Sequence, residues 1–236
     1  MSTRPAATTA ATNVPFGHGV ILPVLDGRWL VVDWPEPQTM LSWAIVGGGL
    51  TQASKVVWRH IVADELRPPV DASRFLRAEL AAAGHRGAVG LLTSRRLDSA
   101  VDLELHAADL SVRCIATVGL GNALAVGDPP GASGRIGTIN VVCHISAPLS
   151  TEALVEALAM VAEARTAAVL DSGVRSRISG APATGTGTDC IVVAAPQGRR
   201  GLTYVGKHTV AGHLIGACVR QTVTRGATAW LGEPRR

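Results

Sequence analysis

Aromatic and charged side chains are scarce in this chain of 236 residues, where they make up 3% and 17% of the sequence. Nucleic-acid binding would need a stripe of basic residues with aromatic platforms, and neither is visible although the net charge is +4. Lysine occurs only at Lys55 and Lys207, and the arginines are spread along the chain. We therefore expect an ordinary solvated surface and no nucleic-acid partner.

Cysteine motifs for metal or redox chemistry are also missing. The four cysteines lie far apart in apolar stretches, with no C-x-x-C pair and no Cys/His zinc spacing. They are Cys114, Cys143, Cys190 and Cys218. This pattern predicts buried free thiols in a reducing compartment and no protein metal site.

Long hydrophobic runs are absent, because no stretch approaches the roughly 18 apolar residues of a membrane span. Residues 1–15 are rich in Ala, Thr and Ser and lack the apolar region of a secretory signal. We predict a soluble, cytoplasmic protein with no membrane partner. Its length fits one domain over residues 16–230, with a disordered tail at residues 1–15 and a C-terminal tail at residues 231–236.

Hydrophobic residues make up 47% of the chain, and many are alanine or valine, which predicts a core of small aliphatic side chains. Strands are predicted at residues 28–34, 41–50, 55–62, 88–93, 100–106, 111–118, 137–146, 189–195 and 202–205. Helices are predicted at residues 71–83, 150–172 and 209–225, capped by Asp71, Ser150 and Thr209 and ended by Gly84, Gly173 and Gly226. This order favours an α/β or α+β fold, a single layered domain with a mixed sheet flanked by helices.

The stretch Thr184-Gly-Thr-Gly-Thr-Asp189 is the first candidate site. Its two glycines let the backbone approach a ligand closely, and its threonines supply hydroxyls. Asp189 then precedes an apolar strand, where a carboxylate is costly unless it has partners or a task. A tight turn in which Asp189 caps nearby amides is the alternative. No lysine follows at the spacing of a phosphate-binding Walker loop.

The second candidate is Gly206-Lys-His-Thr209, at the start of the last predicted helix. The free amides and dipole of a helix N-terminus favour anions, and Lys207 adds a positive charge. The same position disfavours protonated histidine, so His208 can act as a neutral base. An ordinary capped helix start with an exposed Lys207 and His208 is the alternative.

Weaker candidates follow glycines elsewhere. Asn122 lies in Gly119-Leu-Gly-Asn-Ala123, and Asn140 follows Gly137-Thr-Ile; each is either a turn residue or a ligand for amide groups. The glycines at 47–49 either admit a bulky ligand or form a simple turn. His60, His106 and His144 lie in predicted strands and are expected to be core or face residues.

Together these motifs resemble the adenosylcobinamide amidohydrolase family of corrinoid salvage enzymes. The resemblance runs from about residue 40 to residue 226, and the specific portion is Gly-Thr-Gly-Thr-Asp189 with the later Gly-Lys-His-Thr209. Gly47 and His213 depart from the family pattern, which often has Asn and an acidic residue there, so the exact corrinoid stays open. Trp29, Trp34, Trp43 and Trp58 are either core residues or flank the face of a large ring.

The resemblance implies hydrolysis of the amide that joins aminopropanol to the corrinoid, giving adenosylcobyric acid. We expect Asp189 to orient His208 as a base that activates water, with Lys207 and the helix amides stabilising the oxyanion. The expected substrate-binding residues are Asn122, Asn140, Thr138, Thr186, Thr188, Gly187, Thr209, Gly48 and Gly49. No cofactor is expected, because cobalt would arrive as part of the substrate.

Two other functions fit the same motifs. A corrinoid- or nucleotide-binding protein would use the glycine loops without needing a base. A hydrolase of another amide could use Thr138 or Thr188 as its nucleophile, with His208 as the base. The sequence leaves the strand order and the oligomeric state open.

Overall fold

The protein is described by a computed structural model over residues 23–62, 65–67, 69–131 and 136–234. Its strands are β1 (Val24–Asp26), β2 (Trp29–Ser42), β3 (Gly49–His60), β4 (Val89–Thr93), β5 (Val101–Ala107), β6 (Leu110–Val118), β7 (Ala123–Leu124), β8 (Ile139–Ile145), β9 (Gly185–Thr186) and β10 (Cys190–Pro196). Its α-helices are α1 (Ala72–Ala82), α2 (Thr151–Asp171) and α3 (Val210–Gly232). The tail predicted at residues 1–15 lies outside the described residues.

Eight of these strands form one mixed sheet, in which seven follow the order β4-β3-β2-β10-β8-β6-β5 and β1 pairs with β2. β8 and β10 are parallel neighbours joined through α2, whereas β2 and β6 run antiparallel to them. β7 and β9 form a separate two-stranded sheet. The predicted layered fold with a mixed sheet is therefore confirmed.

Helices α2 and α3 cover one face of this sheet. The core there is built largely from alanine, valine and other aliphatic side chains, as the composition predicted. The predicted caps are present, since the side chains of Asp71, Ser150 and Thr209 accept hydrogen bonds from backbone amides of the first helical turns. No helix in the described part of the chain is long and apolar enough to cross a membrane.

The other face of the sheet curls onto itself. The pairing of β2 with β3 shifts register between Asp33 and Gln38, and such a bulge bends the sheet. One buried cluster contains Val89 and Leu91 of β4 as well as Val142 of β8. Asn140 of β8 also donates a 2.8 Å hydrogen bond to the backbone oxygen of Leu92 in β4. Because three strands separate β4 from β8 in the sheet order, this hydrogen bond requires the sheet to fold back, and the curl leaves an opening at one end.

Several predicted boundaries were wrong. The apolar run at residues 41–50, predicted as a strand entering a tight loop, is mainly the loop, because β2 ends at Ser42 and Gly47 and Gly49 adopt positive φ angles of 71° and 86°. Residues 202–205 form no strand, and Leu202 makes one isolated bridge. Helix α3 continues past Gly226 into the predicted C-terminal tail. Gly226 does not end the helix; it allows close packing on Val118, whose side chain a Cβ would meet at 2.5 Å.

Candidate functional site

A cavity of about 600 Å³ opens where β8 and β10 begin. Cys190, the first residue of β10, pairs with Asn140 of β8, so the segments that precede the two strands meet at one edge of the sheet. One wall of the cavity is polar and contains Asn122, Thr138, Asn140, Thr188 and Asp189. The apolar part of the lining includes Trp43, Ile45, Ile61, Val62, Leu66 and Ile136.

The glycine motifs meet on the polar wall through backbone contacts. Strand β7 pairs with β9, which places Ala123 opposite Thr186 and brings Asn122 next to the segment that leads to Asp189. A Cβ on Gly137 would lie 2.6 Å from the amide nitrogen of Gly121 and 2.7 Å from Asn122 Oδ1. Glycine is therefore required here because the two loops are in direct contact.

Asp189 lies at the centre of this wall, and both carboxylate oxygens are occupied. Oδ1 accepts hydrogen bonds from the Thr186 hydroxyl and from the amide of Ile139, the latter at 2.9 Å. Oδ2 accepts from the guanidinium of Arg165 and from the amide of Thr186 at 2.9 Å. Burial raises the pKa of Asp189 above its usual value, and Arg165 opposes this shift. The structure thus gives the carboxylate four partners.

Arg165 is the main site residue that the sequence motifs did not predict. It projects from α2, and its side chain is 14% exposed while that of Asp189 is 7% exposed. A Cβ on Gly185 would overlap both side chains, so the first glycine of the Gly-Thr-Gly-Thr-Asp motif leaves room for the ion pair. A single arginine inside a helix carries no local signal of its partner, and only the fold joins these two residues.

The tryptophans divide between the two predicted alternatives. Trp34 and Trp58 are buried in the core of the curled sheet. Trp43 is 46% exposed on the cavity wall, and its indole Nε1 donates a 2.6 Å hydrogen bond to the backbone oxygen of Asp189. The turn between β2 and β3 is thereby tied to the start of β10.

Asn122 and Asn140 both reach the cavity but differ in their partners. Asn140 Nδ2 donates to the backbone oxygen of Leu92 at 2.8 Å. Asn122 Oδ1 is buried and has no hydrogen-bond partner among the described residues. Asn122 therefore has unused hydrogen-bonding capacity.

The threonines join the same two loops. The hydroxyl of Thr138 donates to the backbone oxygen of Thr188 at 2.8 Å, and the hydroxyl of Thr188 donates to the backbone oxygen of Gly137 at 2.9 Å. Thr138, Thr188 and Gly187 line the cavity, whereas Thr186 is bonded to Asp189. These two hydrogen bonds hold the segment before β8 against the segment before β10.

The structure places Lys207, His208 and Thr209 away from this cavity. Leu202 exchanges backbone hydrogen bonds with Pro148 and Ser150, beside the start of α2. The amide of Val205 donates to Glu156 at 2.6 Å, in the first turns of that helix. Residues 202–209 thus lie beyond the carboxyl end of β8, while Asp189 lies before the amino end of β10.

The expected pairing of Asp189 with His208 is therefore not formed. The donors that bond to Asp189 come from Thr186, Ile139 and Arg165, and His208 is not among them. His208 instead stacks on Tyr204 at 6.1 Å between ring centroids, and Lys207 pairs with Glu163. Thr209 caps α3.

The remaining predicted positions have local roles. Gly48 belongs to the turn after β2 that presents Trp43 and Ile45, and a Cβ on Gly48 would overlap the backbone oxygen of Ala44, while Gly49 begins β3. His213 lies in a groove between α2 and α3 beside Lys207. Gly48, Gly49 and His213 themselves do not line the cavity.

The cysteines are buried free thiols, as predicted. Cys190 borders the cavity, but burial raises its pKa to about 12, which disfavours the thiolate that a nucleophile needs. Among the described residues, no group of three His, Cys, Asp or Glu side chains is placed to hold a metal ion. The predicted absence of a cofactor stays an expectation.

Comparison with known proteins connects this geometry to a family. A protein of Methanocaldococcus jannaschii, described as uncharacterized, is 38% identical over 90 residues, covering 38% of this chain. That alignment covers 35% of the relative, so the chain spans about a third of the length of the curated relative that it matches. A family model described as adenosylcobinamide amidohydrolase matches residues 24–235, nearly the whole chain. On this match, the chain belongs to the adenosylcobinamide amidohydrolase family.

Proposed function

We propose that this protein hydrolyses the amide between aminopropanol and the corrinoid of adenosylcobinamide, giving adenosylcobyric acid for cobalamin salvage. The observation that carries the proposal is the convergence of Asn122, Asn140, Thr188 and Asp189 from separate segments on one cavity wall. A concave, mostly apolar cavity with a few convergent polar groups is the usual form of a small-molecule site. The family match supplies the reaction class.

Asn122 is the proposed binding residue for the scissile amide. Its side chain lies on the polar wall, and its Nδ2 can donate a hydrogen bond to an amide carbonyl of the ligand. Donation of an N–H to the substrate carbonyl would stabilise the oxyanion that forms when water attacks. Asn140, in contrast, is held by Leu92 and is proposed to shape the wall.

Asp189 is the proposed general base. Its four acceptor positions are filled in the resting site, so one bond must open before it can take a proton from water. The Thr186 hydroxyl is the partner that rotates away with least rearrangement. Water oxygen then bonds to the amide carbon, the carbon–nitrogen bond breaks, and the proton held by Asp189 passes to the leaving nitrogen.

Catalytic roles for Lys207 and His208 stay predictions. Neither residue lines the cavity; Lys207 pairs with Glu163 and His208 stacks on Tyr204 instead. The fold therefore favours Asp189 over His208 as the base.

Purified full-length protein incubated with adenosylcobinamide tests the proposal, with adenosylcobyric acid and aminopropanol measured by chromatography. Loss of a general base lowers turnover about 10²- to 10⁴-fold, which we expect for Asp189→Asn in folded protein. His208→Ala is the comparison variant and is expected to keep turnover near that of the wild type. Normal turnover in Asp189→Asn would remove Asp189 from the mechanism, and loss in His208→Ala would restore the predicted role of His208.

A second function, corrinoid binding without hydrolysis, is favoured by one observation. All four acceptor positions of Asp189 are occupied, and a carboxylate bonded in this way can have a purely structural role in the wall. Tight binding of adenosylcobinamide with no product between pH 5 and pH 9 would support this function over the amidohydrolase.

A further inference from the structure

The size of the cavity limits how much of a corrinoid can enter it. A volume of about 600 Å³ falls in the range of ~300–1,000 Å³ that holds drug-sized ligands. Adenosylcobinamide is larger than such a ligand, because it carries a macrocycle, an adenosyl group on cobalt and amide side chains around the ring. The scissile amide lies on one of these side chains, so that side chain can enter while the ring stays outside.

Large apolar side chains are exposed around the opening. Trp43, Ile45, Val62 and Ile136 line the cavity and are 46%, 45%, 45% and 54% exposed. They come from three segments: the turn after β2, the end of β3 and the approach to β8. Exposed apolar residues that gather at one opening, rather than lying singly, mark a surface that binds an apolar partner. We name these four residues the apolar rim.

Trp43 fixes the rim relative to the reacting end of the cavity. The 2.6 Å hydrogen bond from its indole to the backbone oxygen of Asp189 sets the orientation of the ring. A fixed aromatic plane provides contact area for a flat ligand at a low cost in side-chain entropy. Trp43 is thus held next to the segment that carries the proposed base.

We infer that the apolar rim binds the face of the corrin macrocycle while the aminopropanol side chain alone enters the cavity. This inference rests on the proposed function for the identity of the ligand. It assigns ring binding and amide chemistry to different residues: the rim holds the macrocycle, and the polar wall holds the amide.

The test measures corrinoid binding and turnover in rim variants of the full-length protein. Trp43→Ala and Ile136→Ser are expected to raise KM for adenosylcobinamide roughly ten-fold, since a tenfold change corresponds to about 1.4 kcal/mol and burial of one large apolar side chain supplies a comparable amount. The kcat of Ile136→Ser should stay within about two-fold of the wild type, because lost uniform binding raises KM alone. Trp43→Ala also removes the hydrogen bond to the backbone oxygen of Asp189, so the deciding measurement for this variant is Kd rather than kcat. Val155→Ser is the matched control, since Val155 is 55% exposed on α2 and does not line the cavity.

Two probes separate the ring from the side chain. Adenosylcobyric acid has the ring without aminopropanol, and its Kd by equilibrium dialysis should rise in Trp43→Ala as much as the Kd of adenosylcobinamide. N-(2-hydroxypropyl)acetamide has the amide without the ring, and any inhibition by it should be unchanged in Trp43→Ala. Trp43→Phe keeps an aromatic face without the hydrogen bond, and is expected to retain more affinity than Trp43→Ala.

The outcomes distinguish this inference from the proposed function. Unchanged KM and Kd in folded Trp43→Ala and Ile136→Ser, with active enzyme, would overturn the rim and leave the amidohydrolase standing. Corrinoid binding that depends on Trp43 without any hydrolysis would support the rim and overturn the proposed reaction. Equal weakening in Val155→Ser would show that the effect is not local to the rim, and would also overturn it.

Discussion

Asn140 donates a hydrogen bond from its side-chain amide to the backbone oxygen of Leu92, across a sheet in which three strands separate the two residues. The bond links β8 directly to β4 and holds the curl that leaves the cavity open at one end. Asn122 lies on the same wall, but its buried oxygen has no partner among the described residues. Both asparagines follow glycines in the sequence, but Asn140 bonds to the fold and Asn122 keeps an unpaired oxygen.

Substitution of these asparagines should separate stability from activity. Asn140→Ala leaves the Leu92 oxygen without its partner, and we expect a loss of about 1–3 kcal/mol in the free energy of unfolding. Asn122→Ala removes a side chain with an unpaired oxygen, so unfolding should change by less than about 1 kcal/mol while kcat/KM falls. Urea denaturation and turnover on both variants measure the two effects. The reverse pattern would exchange the assigned roles.

Two glycines of one loop should differ in their tolerance of alanine. Gly185→Ala places a methyl group into the Arg165–Asp189 ion pair, whereas the Cβ of Gly187→Ala meets the mobile end of Leu124 at 3.2 Å. A buried ion pair that loses its geometry destabilises by about 3–5 kcal/mol. We expect Gly185→Ala to unfold at much lower urea concentration than Gly187→Ala. Similar midpoints for the two variants would show that the ion pair adjusts to the methyl group.

Thr186→Val should move the pH dependence of turnover. The hydroxyl of Thr186 donates to Asp189 and helps to lower the pKa of that carboxyl, in opposition to burial. Its removal raises the pKa further, so more base is protonated at a given pH. The rising limb of kcat/KM against pH should therefore shift to higher pH in Thr186→Val. An unshifted limb in an active variant would argue that Asp189 is not the titrating base.

Half-buried His144 predicts a loss of stability in mild acid. Burial lowers its pKa to about 4, with Arg113 acting in the same direction, and its ring bonds to Gln38 and packs against Trp34. Because the folded pKa is depressed, only the unfolded chain takes up this proton between pH 6.5 and about 4. Stability from this group is present above pH 6.5 and falls by about 2 kcal/mol by pH 5.

The comparison variant His144→Gln isolates that effect, because glutamine does not titrate. Urea denaturation at pH 7 and pH 5 should show a smaller loss in the variant than in the wild type. Equal losses in the two proteins would assign the acid sensitivity to other groups.

Much of the fold and part of the site could be predicted from the sequence. Helix caps such as Asp71 and Ser150 are local signals, and the hairpin of β5 and β6 follows from alternation. Asn122 and Asp189 were singled out because glycines stand beside them, and the structure places both on the lining of one cavity, while their roles stay predictions.

The missed features depend on which end of a strand a segment reaches. Asp189 and His208 are close in the sequence, but β10 runs between them and carries the chain to the other end of the sheet. Arg165 and Trp43 meet Asp189 only through the crossover of α2 and the turn after β2. No spacing rule within one segment encodes either contact, so these relationships required the tertiary structure.

The reaction of the four buried cysteines with a thiol reagent can report when the protein opens and exposes them. Burial raises the pKa of Cys114 and Cys143 well above the ordinary value and raises the pKa of Cys190 and Cys218 to about 12. Alkylating reagents attack the thiolate, so the native thiols react slowly at neutral pH. Cys190 borders the cavity and the other three lie in the core beneath α2 and α3. Mass-resolved alkylation can therefore time the exposure of the site separately from the exposure of the core.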